Sequence, residues 1–138
     1  FDTLYDPGLD DEALVVIAAK EQRIVVSKDR GLLKRKLVTH AFLAASENPD
    51  EQLLSLLIHF GLTPPFATFS RCLECNAKLA PVDKAQVLHR LEPLTKLYYQ
   101  SFHICPGCGR IYWKGSHADH LQGWLHTLTQ SLDAYTRP

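Results

Sequence analysis

Apolar and polar positions in the first half of the chain follow the periods of helices and short strands. Residues 10–21 predict a helix, because alanine, valine, leucine and isoleucine fill nearly all of its central positions. The β-branched run at 24–26 predicts a buried strand, and 41–45 predicts a second strand. A short helix with a basic outer face is predicted between them at 32–37. This alternation is typical of a parallel sheet with flanking helices.

A third helix is predicted to begin after Asn48, whose side chain can cap it and which a proline follows. Leucines continue the pattern until Gly61, which is expected to end the helix. The stiff segment at 63–65, Thr-Pro-Pro, comes next. We therefore predict an α/β domain at 1–65 and a second domain at 66–138.

The second half predicts short strands, a helical insertion and a terminal helix. The strands are expected at 68–71, 102–104 and 110–113. The insertion occupies 83–101 and is broken at Pro93, and the last helix begins at Ser116. The apolar stripe of that helix consists of Leu121, Trp124, Leu125, Leu128 and Leu132. We expect this stripe to need a partner surface.

The cysteines form two Cys-x-x-Cys pairs, which are Cys72 with Cys75 and Cys105 with Cys108. Two such pairs indicate a tetrahedral thiolate site for zinc. Gly107 and Gly109, and Asn76 in the matching place of the first pair, tolerate the left-handed backbone that tight turns need. A closed four-sulfur site has no open position, so this zinc would hold structure. The second domain is therefore predicted to be a zinc ribbon.

Three other uses of four cysteines are the alternatives. Disulfides need an oxidising compartment, and the sequence carries no sign of secretion. A redox Cys-x-x-Cys usually occurs once, near a βαβ unit. An iron–sulfur cluster also takes four cysteines, but this spacing matches neither common ferredoxin pattern.

Composition excludes several classes of protein. The 138 residues are 46% hydrophobic, with 15 basic and 15 acidic side chains, which fits a globular domain or two small units. It does not fit a disordered tail, a collagen or a coiled coil. The longest uncharged apolar run, at 13–19, is far shorter than the ~20 residues of a membrane span, and residues 1–14 lack a secretory pattern. We expect a cytoplasmic protein without a membrane partner, and, since methionine is absent, a fragment.

Charge is unevenly distributed along the first domain. The acidic residues of its first stretch are Asp2, Asp6, Asp10, Asp11 and Glu12. The basic residues that follow are Lys20, Arg23, Lys28, Arg30, Lys34, Arg35 and Lys36. An acidic cluster beside a basic rim suits a metal-dependent site that handles polyanions. Ordinary helix surfaces of mixed charge are the alternative.

Asp11 and Asp29 are the candidate carboxylates of such a site. Asp29 closely follows the first predicted strand, at the strand end where open α/β sheets bind ligands. Asp11 begins the preceding helix, and an antiparallel packing would bring the two carboxylates together around Mg²⁺ or Mn²⁺. Helix capping and turn formation are the alternative roles of these residues.

Several segments together resemble a known family. Residues 11–19, an acidic helix start followed by alanine and isoleucine, and the strand that leads to Ser27-Lys28-Asp29 resemble the second half of a PIN-like nuclease. With the cysteine knuckles and the segments 5–7, 110–113 and 115–117, the chain from Phe1 to about Leu125 is similar to the Mut-seven C-terminal RNase domain family. That family joins a PIN-like domain to a zinc ribbon.

The resemblance implies a ribonuclease that hydrolyses RNA phosphodiester bonds with a divalent metal. Asp11 and Asp29 fall on two of the family's acidic positions, and Asp10 is implied to assist. The candidate RNA contacts are Lys28, Arg30, Lys34, Arg35, Arg71, Arg110, Lys114 and His117.

The family's first strand, which ends in an acidic residue, and the helix after it have no counterpart here. The resemblance therefore implies a PIN-like sheet that is truncated at its N-terminus and lacks its most central carboxylate. We expect apolar surface to be exposed on the helix at 10–21, with a second copy or an upstream segment as its cover.

Two other classes of function stay open. One is a non-catalytic RNA- or protein-binding module, in which the ribbon presents the side chains of Arg71, Arg110, Tyr112, Trp113 and Lys114. The other is an antitoxin-like or scaffold protein that kept the fold and lost the activity.

Overall fold

The computed structural model describes residues 1–136, with side chains up to Leu132. Its contacts form two compact units. The ribbon unit consists of Phe1–Tyr5 and Pro65–Thr127, and the α/β unit consists of Asp6–Pro64 and the chain from Leu128 onward. The domain boundary after residue 65 stays a prediction, because compact units need not be independent domains.

The α/β unit contains a two-stranded parallel sheet. Its elements are α1 (Asp11–Glu21), β1 (Val25–Ser27), α2 (Arg30–Leu33), β2 (Ala41–Leu43) and α3 (Pro49–His59). Val25 pairs with Ala41 and Ser27 with Leu43. The sequence prediction of a parallel sheet with flanking helices is confirmed, although β1 begins one residue later and α2 earlier than expected.

Side-chain caps begin each helix of this unit. The carboxylate of Asp10 accepts a hydrogen bond from the N–H of Ala13 at the start of α1, and the Asn48 side chain accepts one from Asp50 at the start of α3. Asp29 caps α2 in the same way. A cap satisfies one of the backbone donors that the first turn leaves without a partner. These caps therefore fix where the chain turns from strand or loop into helix.

Only one residue of the first predicted strand run is buried. Val25 is 4% exposed and packs with Val15 and Leu32, whereas Ile24 and Val26 are 44% and 49% exposed. Successive side chains of a strand point to opposite faces of the sheet. The expectation of a fully buried strand is thus wrong for the described residues. Val16 on α1 is likewise 49% exposed, in agreement with the apolar surface expected on that helix.

The ribbon unit is built on an antiparallel sheet with the strand order β3-β4-β5. Its elements are β3 (Ala80–Val82), α4 (Lys84–Val87), a 3₁₀ turn (Leu88–Arg90), α5 (Pro93–Tyr98), β4 (Phe102–Ile104), β5 (Ile111–Tyr112) and the first part of α6 (Ser116–Thr136). His103 on the central strand lies opposite Pro81 and Tyr112. The helical insertion, its break near residue 93 and the start of α6 agree with the sequence prediction.

The first strand of this sheet differs from the prediction. Residues 68–71 form no strand, and Arg71 makes only an isolated bridge with Lys78. The edge strand is β3 instead, which sequence reasoning missed because it contains Pro81. A proline cannot donate a ladder hydrogen bond, but an edge strand tolerates it because one side of the strand needs no partner.

Two helices of the ribbon unit differ in how they use their apolar residues. The short helix α5 buries Thr95 and leaves Leu94 and Leu97 more than three-fifths exposed, at 68% and 66%. On α6, Leu121 is 45% exposed, whereas Leu132, on the part that belongs to the α/β unit, is 1% exposed. The predicted stripe on α6 is therefore buried mainly at its later positions.

Of the helices in residues 1–136, none combines the length and apolar character of a membrane span.

We predict that Leu57→Ala destabilises the protein by about 2–5 kcal/mol, the usual range for emptying a buried leucine site. Leu57 on α3 is 1% exposed, whereas its neighbour Ile58 is 39% exposed. Ile58→Ala is the matched control and should cost much less. Urea unfolding followed by circular dichroism measures both free energies. Equal losses for the two variants would contradict the assignment of Leu57 to the core.

Candidate functional site

The two cysteine knuckles have the same backbone pattern. The N–H of Asn76 donates to the carbonyl of Cys72 at 3.0 Å, and the N–H of Gly109 donates to the carbonyl of Cys105 at 2.8 Å. Asn76 has a φ of 59° and Gly109 a φ of 74°, in the left-handed region. Asparagine and glycine adopt this region most readily, so the turns form as the sequence predicts.

Gly107 serves a different purpose from the one predicted. Its φ is not positive, but a Cβ atom there would lie 3.2 Å from Cys75 Sγ and 3.3 Å from the Cβ of Ala77. The second knuckle therefore approaches the first so closely that a side chain at position 107 would push on a candidate ligand. The glycine is required by this close approach and not by a left-handed turn.

The four cysteine sulfurs converge on one point. Cys72 Sγ lies 3.5 Å from Cys108 Sγ, Cys75 Sγ lies 3.3 Å from Cys105 Sγ, and all four sulfurs are within 4.8 Å of one another. A tetrahedral zinc ion with Zn–S bonds of about 2.3 Å sets its sulfurs about 3.8 Å apart. The arrangement thus fits a single tetrahedral ion, and the four cysteines could bind zinc.

Backbone and side-chain donors point at the buried sulfurs. The N–H of Glu74 lies 3.4 Å from Cys72 Sγ, and the N–H of Cys108 lies 3.4 Å from Cys105 Sγ. The hydroxyl of Tyr112 lies 3.0 Å from Cys72 Sγ. Cys72 and Cys105 are buried, whereas Cys75 and Cys108 are exposed. One cysteine of each pair is therefore buried inside the unit, and the other is exposed.

Without an ion, the four thiols cannot all ionise. Burial raises the pKa of Cys72, but hydrogen bonds from Tyr112 and from backbone N–H groups outweigh it and lower that pKa to about 6. A hydrogen bond from the backbone N–H of Arg110 lowers the pKa of Cys108. Burial and the neighbouring cysteines outweigh this effect and raise that pKa to about 12. Burial, together with Cys72, also raises the pKa of Tyr112 to about 12, so its hydroxyl keeps its proton. A divalent cation would supply the missing positive charge.

A groove of about 520 Å³ lies in the ribbon unit beside the first knuckle. Aromatic rings of Tyr5, Phe69 and Trp124 line it, together with the cationic side chains of Arg71 and Lys114. Rings beside cations can stack on bases and attract phosphates. Sequence reasoning did not find this groove, because its walls come from both ends of the unit's sequence.

Asp29 lies two residues beyond β1, where its carboxylate is held by the backbone. Its Oδ1 accepts hydrogen bonds from the N–H of Gly31 at 2.6 Å and of Leu32 at 3.3 Å, and its own N–H donates to Ser27 Oγ at 3.0 Å. A Cβ on Gly31 would meet Oδ1 at 3.0 Å, so the glycine leaves room for the carboxylate. In the described residues both hydrogen bonds fall on Oδ1, which leaves Oδ2 accessible.

Asp11 forms an ion pair with Arg35, a residue that the sequence predicts to contact RNA. Its Oδ2 lies 3.1 Å from Nη2 of Arg35, and the two side chains are 53% and 42% exposed. Ion pairs at this level of exposure contribute roughly 0–1 kcal/mol. A metal ion or a phosphate can therefore replace either partner at little cost. Sequence reasoning placed both residues near the site but did not find the pair.

Asp10, Asp11 and Asp29 do not form a three-ligand group. The carboxylate of Asp10 is used as the α1 cap, where Oδ1 accepts from Ala13 N–H at 2.7 Å. Among the described residues, the cysteine cluster is the one group of three or more His, Cys, Asp or Glu ligand atoms that lie close enough to share an ion. The acidic site remains a prediction that rests on individual carboxylates.

Comparison with family models identifies the chain. A model of the Mut7-C RNase domain matches residues 1–125. The chain belongs to the Mut7-C RNase domain family. Neither the curated proteins nor the solved structures gave a match. The family name indicates a ribonuclease-type module. In this Mut7-C domain the four clustered cysteines form a candidate zinc site in addition.

Half of the predicted RNA contacts of this Mut7-C domain are engaged in ion pairs. Besides Arg35 with Asp11, these pairs are Lys28 with Glu47 at 2.6 Å, Arg71 with Asp2 at 3.4 Å and Arg110 with Glu74 at 3.0 Å. The other four, for which the described residues show no ion pair, are Arg30, Lys34, Lys114 and His117. In this group, Arg30, Lys34 and Lys114 carry positive charges that no ion pair among the described residues offsets.

The two aromatic residues assigned to a ribbon surface are mainly structural. Trp113 packs in the core of the ribbon unit, with its ring 6.3 Å from those of Tyr99 and Phe102. Tyr112 directs its hydroxyl to Cys72. Both residues are partly buried, so neither is a ready platform for a base in this Mut7-C domain.

We predict that Cys105→Ser abolishes metal binding and unfolds the ribbon unit. Cys105 is fully buried, and the binding energy of a structural zinc is largely folding energy. Elemental analysis of freshly purified protein should give one zinc per wild-type chain and none for the variant. Leu73→Ala, at a 78% exposed position of the same knuckle, is the control and should keep its metal. A wild-type protein that lacks metal would contradict the prediction.

Proposed function

We propose that this Mut7-C domain is a metal-dependent ribonuclease that hydrolyses RNA phosphodiester bonds. Asp11 and Asp29 are the proposed ligands of Mg²⁺ or Mn²⁺, and Asp10 assists at the start of α1. Zinc at the four cysteines is the proposed structural ion, and the ribbon it stabilises helps to bind RNA. Family membership supports the nuclease class.

The position of Asp29 is the observation that carries the proposal. The residue stands at the carboxyl end of a strand in a parallel sheet, where open α/β folds bind their ligands. Its Oδ1 is fixed by two backbone N–H groups, so the orientation of the carboxylate is set before an ion arrives. A carboxylate oxygen held in this way suits the hard cations Mg²⁺ and Mn²⁺.

Asp11 and Arg35 supply the second part of the argument. Arg35 follows α2, the helix that Asp29 begins, so its ion pair with Asp11 links the start of α1 to the segment that carries Asp29. When a cation occupies the site, Arg35 is released to contact an RNA phosphate. A bound Mg²⁺ or Mn²⁺ ion would activate water and neutralise the charge that develops on the phosphate during hydrolysis.

Two surfaces support RNA as the partner. On the α/β unit, Arg30 and Lys34 extend from α2 and the residue after it, and both are exposed. On the ribbon unit, Lys114 lies in the groove with the rings of Phe69 and Trp124. Phosphate contacts on the first surface and base stacking on the second are the proposed binding modes.

We propose the cytoplasm as the compartment. The sulfurs of the two close pairs lie 3.3 Å and 3.5 Å apart, farther than the ~2.05 Å of a disulfide bond, and a reducing compartment keeps such cysteines available for zinc.

A non-catalytic RNA-binding module is the second candidate function. The observation that favours it is that Asp10, Asp11 and Asp29 form no three-ligand group among the described residues. The two functions make opposite predictions about cleavage, and the experiment below separates them.

We predict that the chain extended upstream of Phe1, so that the family's first acidic strand is supplied, cleaves RNA with Mn²⁺ and that Asp29→Asn in this extended chain loses the activity. Asparagine caps helices as well as aspartate does, so the variant keeps the hydrogen bonds to Gly31 and Leu32 and loses only the charge. The rate should fall by more than the roughly 10- to 100-fold that the loss of an outer-shell partner costs a metal site. Gel analysis of labelled RNA gives the rates.

Asp83→Asn is the matched control for that experiment. Asp83 is also exposed and also stands before a helix, but its side chain makes no cap hydrogen bond. Cleavage by this variant should equal that of the wild type. If Asp29→Asn cleaves at the wild-type rate, Asp29 has no role in the mechanism. Extended wild-type protein that binds RNA and cleaves none with Mn²⁺ or Mg²⁺ is a binding module.

We predict that Arg30→Ala with Lys34→Ala weakens RNA binding and reduces its dependence on salt. Each lost phosphate contact on a single strand lowers the slope of log K against log salt by about 0.7, so the double variant should lose about 1.4. Fluorescence anisotropy at several salt concentrations measures the slope. The control is Lys20→Ala, an exposed lysine in the last turn of α1, opposite the end that carries Asp11. An unchanged slope in the double variant excludes the contacts.

A further inference from the structure

We infer that Tyr112 is a positioning residue of the metal site, which holds the Cys72 sulfur by a hydrogen bond from its hydroxyl. The inference rests on the zinc ion proposed above. Its consequence is slower loss of the ion from the four sulfurs. Sequence spacing gives no sign of it, since Tyr112 and Cys72 are 40 residues apart in the chain.

The direction of the hydrogen bond follows from the two contacts of the hydroxyl. The backbone N–H of Leu73 lies 3.1 Å from the hydroxyl oxygen of Tyr112 and can only donate. The oxygen accepts that bond, which leaves the single hydroxyl proton for Cys72 Sγ at 3.0 Å. A metal-bound thiolate carries no proton, so it can only accept. The hydroxyl thus links the sulfur to the backbone of the next residue in the same knuckle.

The ring of Tyr112 is held so that the hydroxyl cannot easily turn away. Tyr112 lies on β5, directly opposite His103 on the central strand β4. Phe69 packs edge-on against both rings, with centroids 5.4 Å from His103 and 6.3 Å from Tyr112. Phe69 has a φ of 60°, a left-handed conformation that a bulky side chain rarely adopts. The backbone at Phe69 is therefore in an unfavourable conformation at the position where its ring packs against Tyr112.

The hydroxyl makes the two knuckles unequal. Cys72 receives the N–H of Glu74 and the hydroxyl of Tyr112, whereas the matching sulfur of Cys105 receives the N–H of Cys108. In the part of the chain that the structure describes, Cys72 alone among the four cysteines has a hydroxyl donor. Four thiolates around one Zn²⁺ leave an excess of negative charge, and a donor aimed at one sulfur offsets part of it. We therefore expect Cys72 to be the last sulfur to leave the ion.

Tyr112→Phe removes the hydroxyl and keeps the ring. Tyr98→Phe is the matched control, because Tyr98 on α5 is 70% exposed and, among the described residues, forms no hydrogen bond with a cysteine. Both variants should bind one zinc and keep the wild-type circular dichroism spectrum. A chromogenic chelator in excess should remove zinc from Tyr112→Phe about 10- to 100-fold faster than from the wild type or the control, the usual effect of losing an outer-shell partner.

A cobalt spectrum separates the hydrogen bond from a merely structural role. With Co²⁺ in place of zinc, all three proteins should show the ligand-field bands of a tetrahedral four-sulfur site. The sulfur-to-cobalt charge-transfer band of Tyr112→Phe should shift to lower energy, because a thiolate that has lost a donor gives up its electrons more easily. A release rate within twofold of the wild type, or an unshifted band, overturns the inference.

The remaining outcomes are also decisive. Wild-type protein without zinc refutes the zinc proposal and this inference together, whereas zinc-loaded wild type and Tyr112→Phe with equal release rates refute this inference alone. If Tyr112→Phe does not fold, proton NMR of the zinc-loaded wild type decides. A slowly exchanging Tyr112 hydroxyl proton close to the Leu73 N–H supports the inference, and a hydroxyl in rapid exchange with water overturns it.

Discussion

The convergence of four sulfur atoms is the constraint on which the ribbon unit depends. These sulfurs lie within 4.8 Å of one another although the chain between the two pairs is long enough to hold two strands, two short α-helices and a 3₁₀ turn. Among the described residues, a small apolar cluster of this unit consists of the buried side chains of Val87, Leu91 and Phe102. Small scaffolds with small cores usually need a metal or disulfides for stability. An ion bound by the four sulfurs would therefore also help to fix where the insertion, the groove and β5 lie within the unit.

The carboxylates of the α/β unit are organised by a different principle. Asp10 and Asp29 each satisfy backbone donors at a helix start, so their positions are stable without any ion. Asp11 instead meets the guanidinium of Arg35. The same side chains thus support both the structural and the catalytic interpretation, because a cap fixes one carboxylate oxygen and leaves the other accessible. Helix capping and metal binding are compatible roles at such a position. They differ in what they require, because capping needs only an oxygen that accepts a hydrogen bond, whereas the proposed metal site also needs the negative charge of the carboxylate.

Local patterns in the sequence predicted much of this structure, and long-range contacts explain what it could not predict. Cysteine spacing, the left-handed residues at Asn76 and Gly109 and the cap at Asn48 depend on a few neighbouring residues, and the structure contains all of them. The parallel pairing of β1 with β2 followed from the alternation of elements. Strand β3 was missed because a proline conceals it. The Asp11–Arg35 and Cys72–Tyr112 contacts join residues 24 and 40 positions apart, and no local signal encodes such partners.

The unequal exposure of the cysteines sets an order of chemical ageing. An oxidant or alkylating agent in solution reaches Cys75 and Cys108 before it reaches Cys72 and Cys105. The two exposed cysteines belong to different knuckles, so modification of one of them leaves the other knuckle chemically intact. The inner pair keeps one anchor in each knuckle. Early damage therefore falls on one exposed cysteine of each knuckle, and oxidative damage there is reversible at the sulfenic acid and disulfide stages.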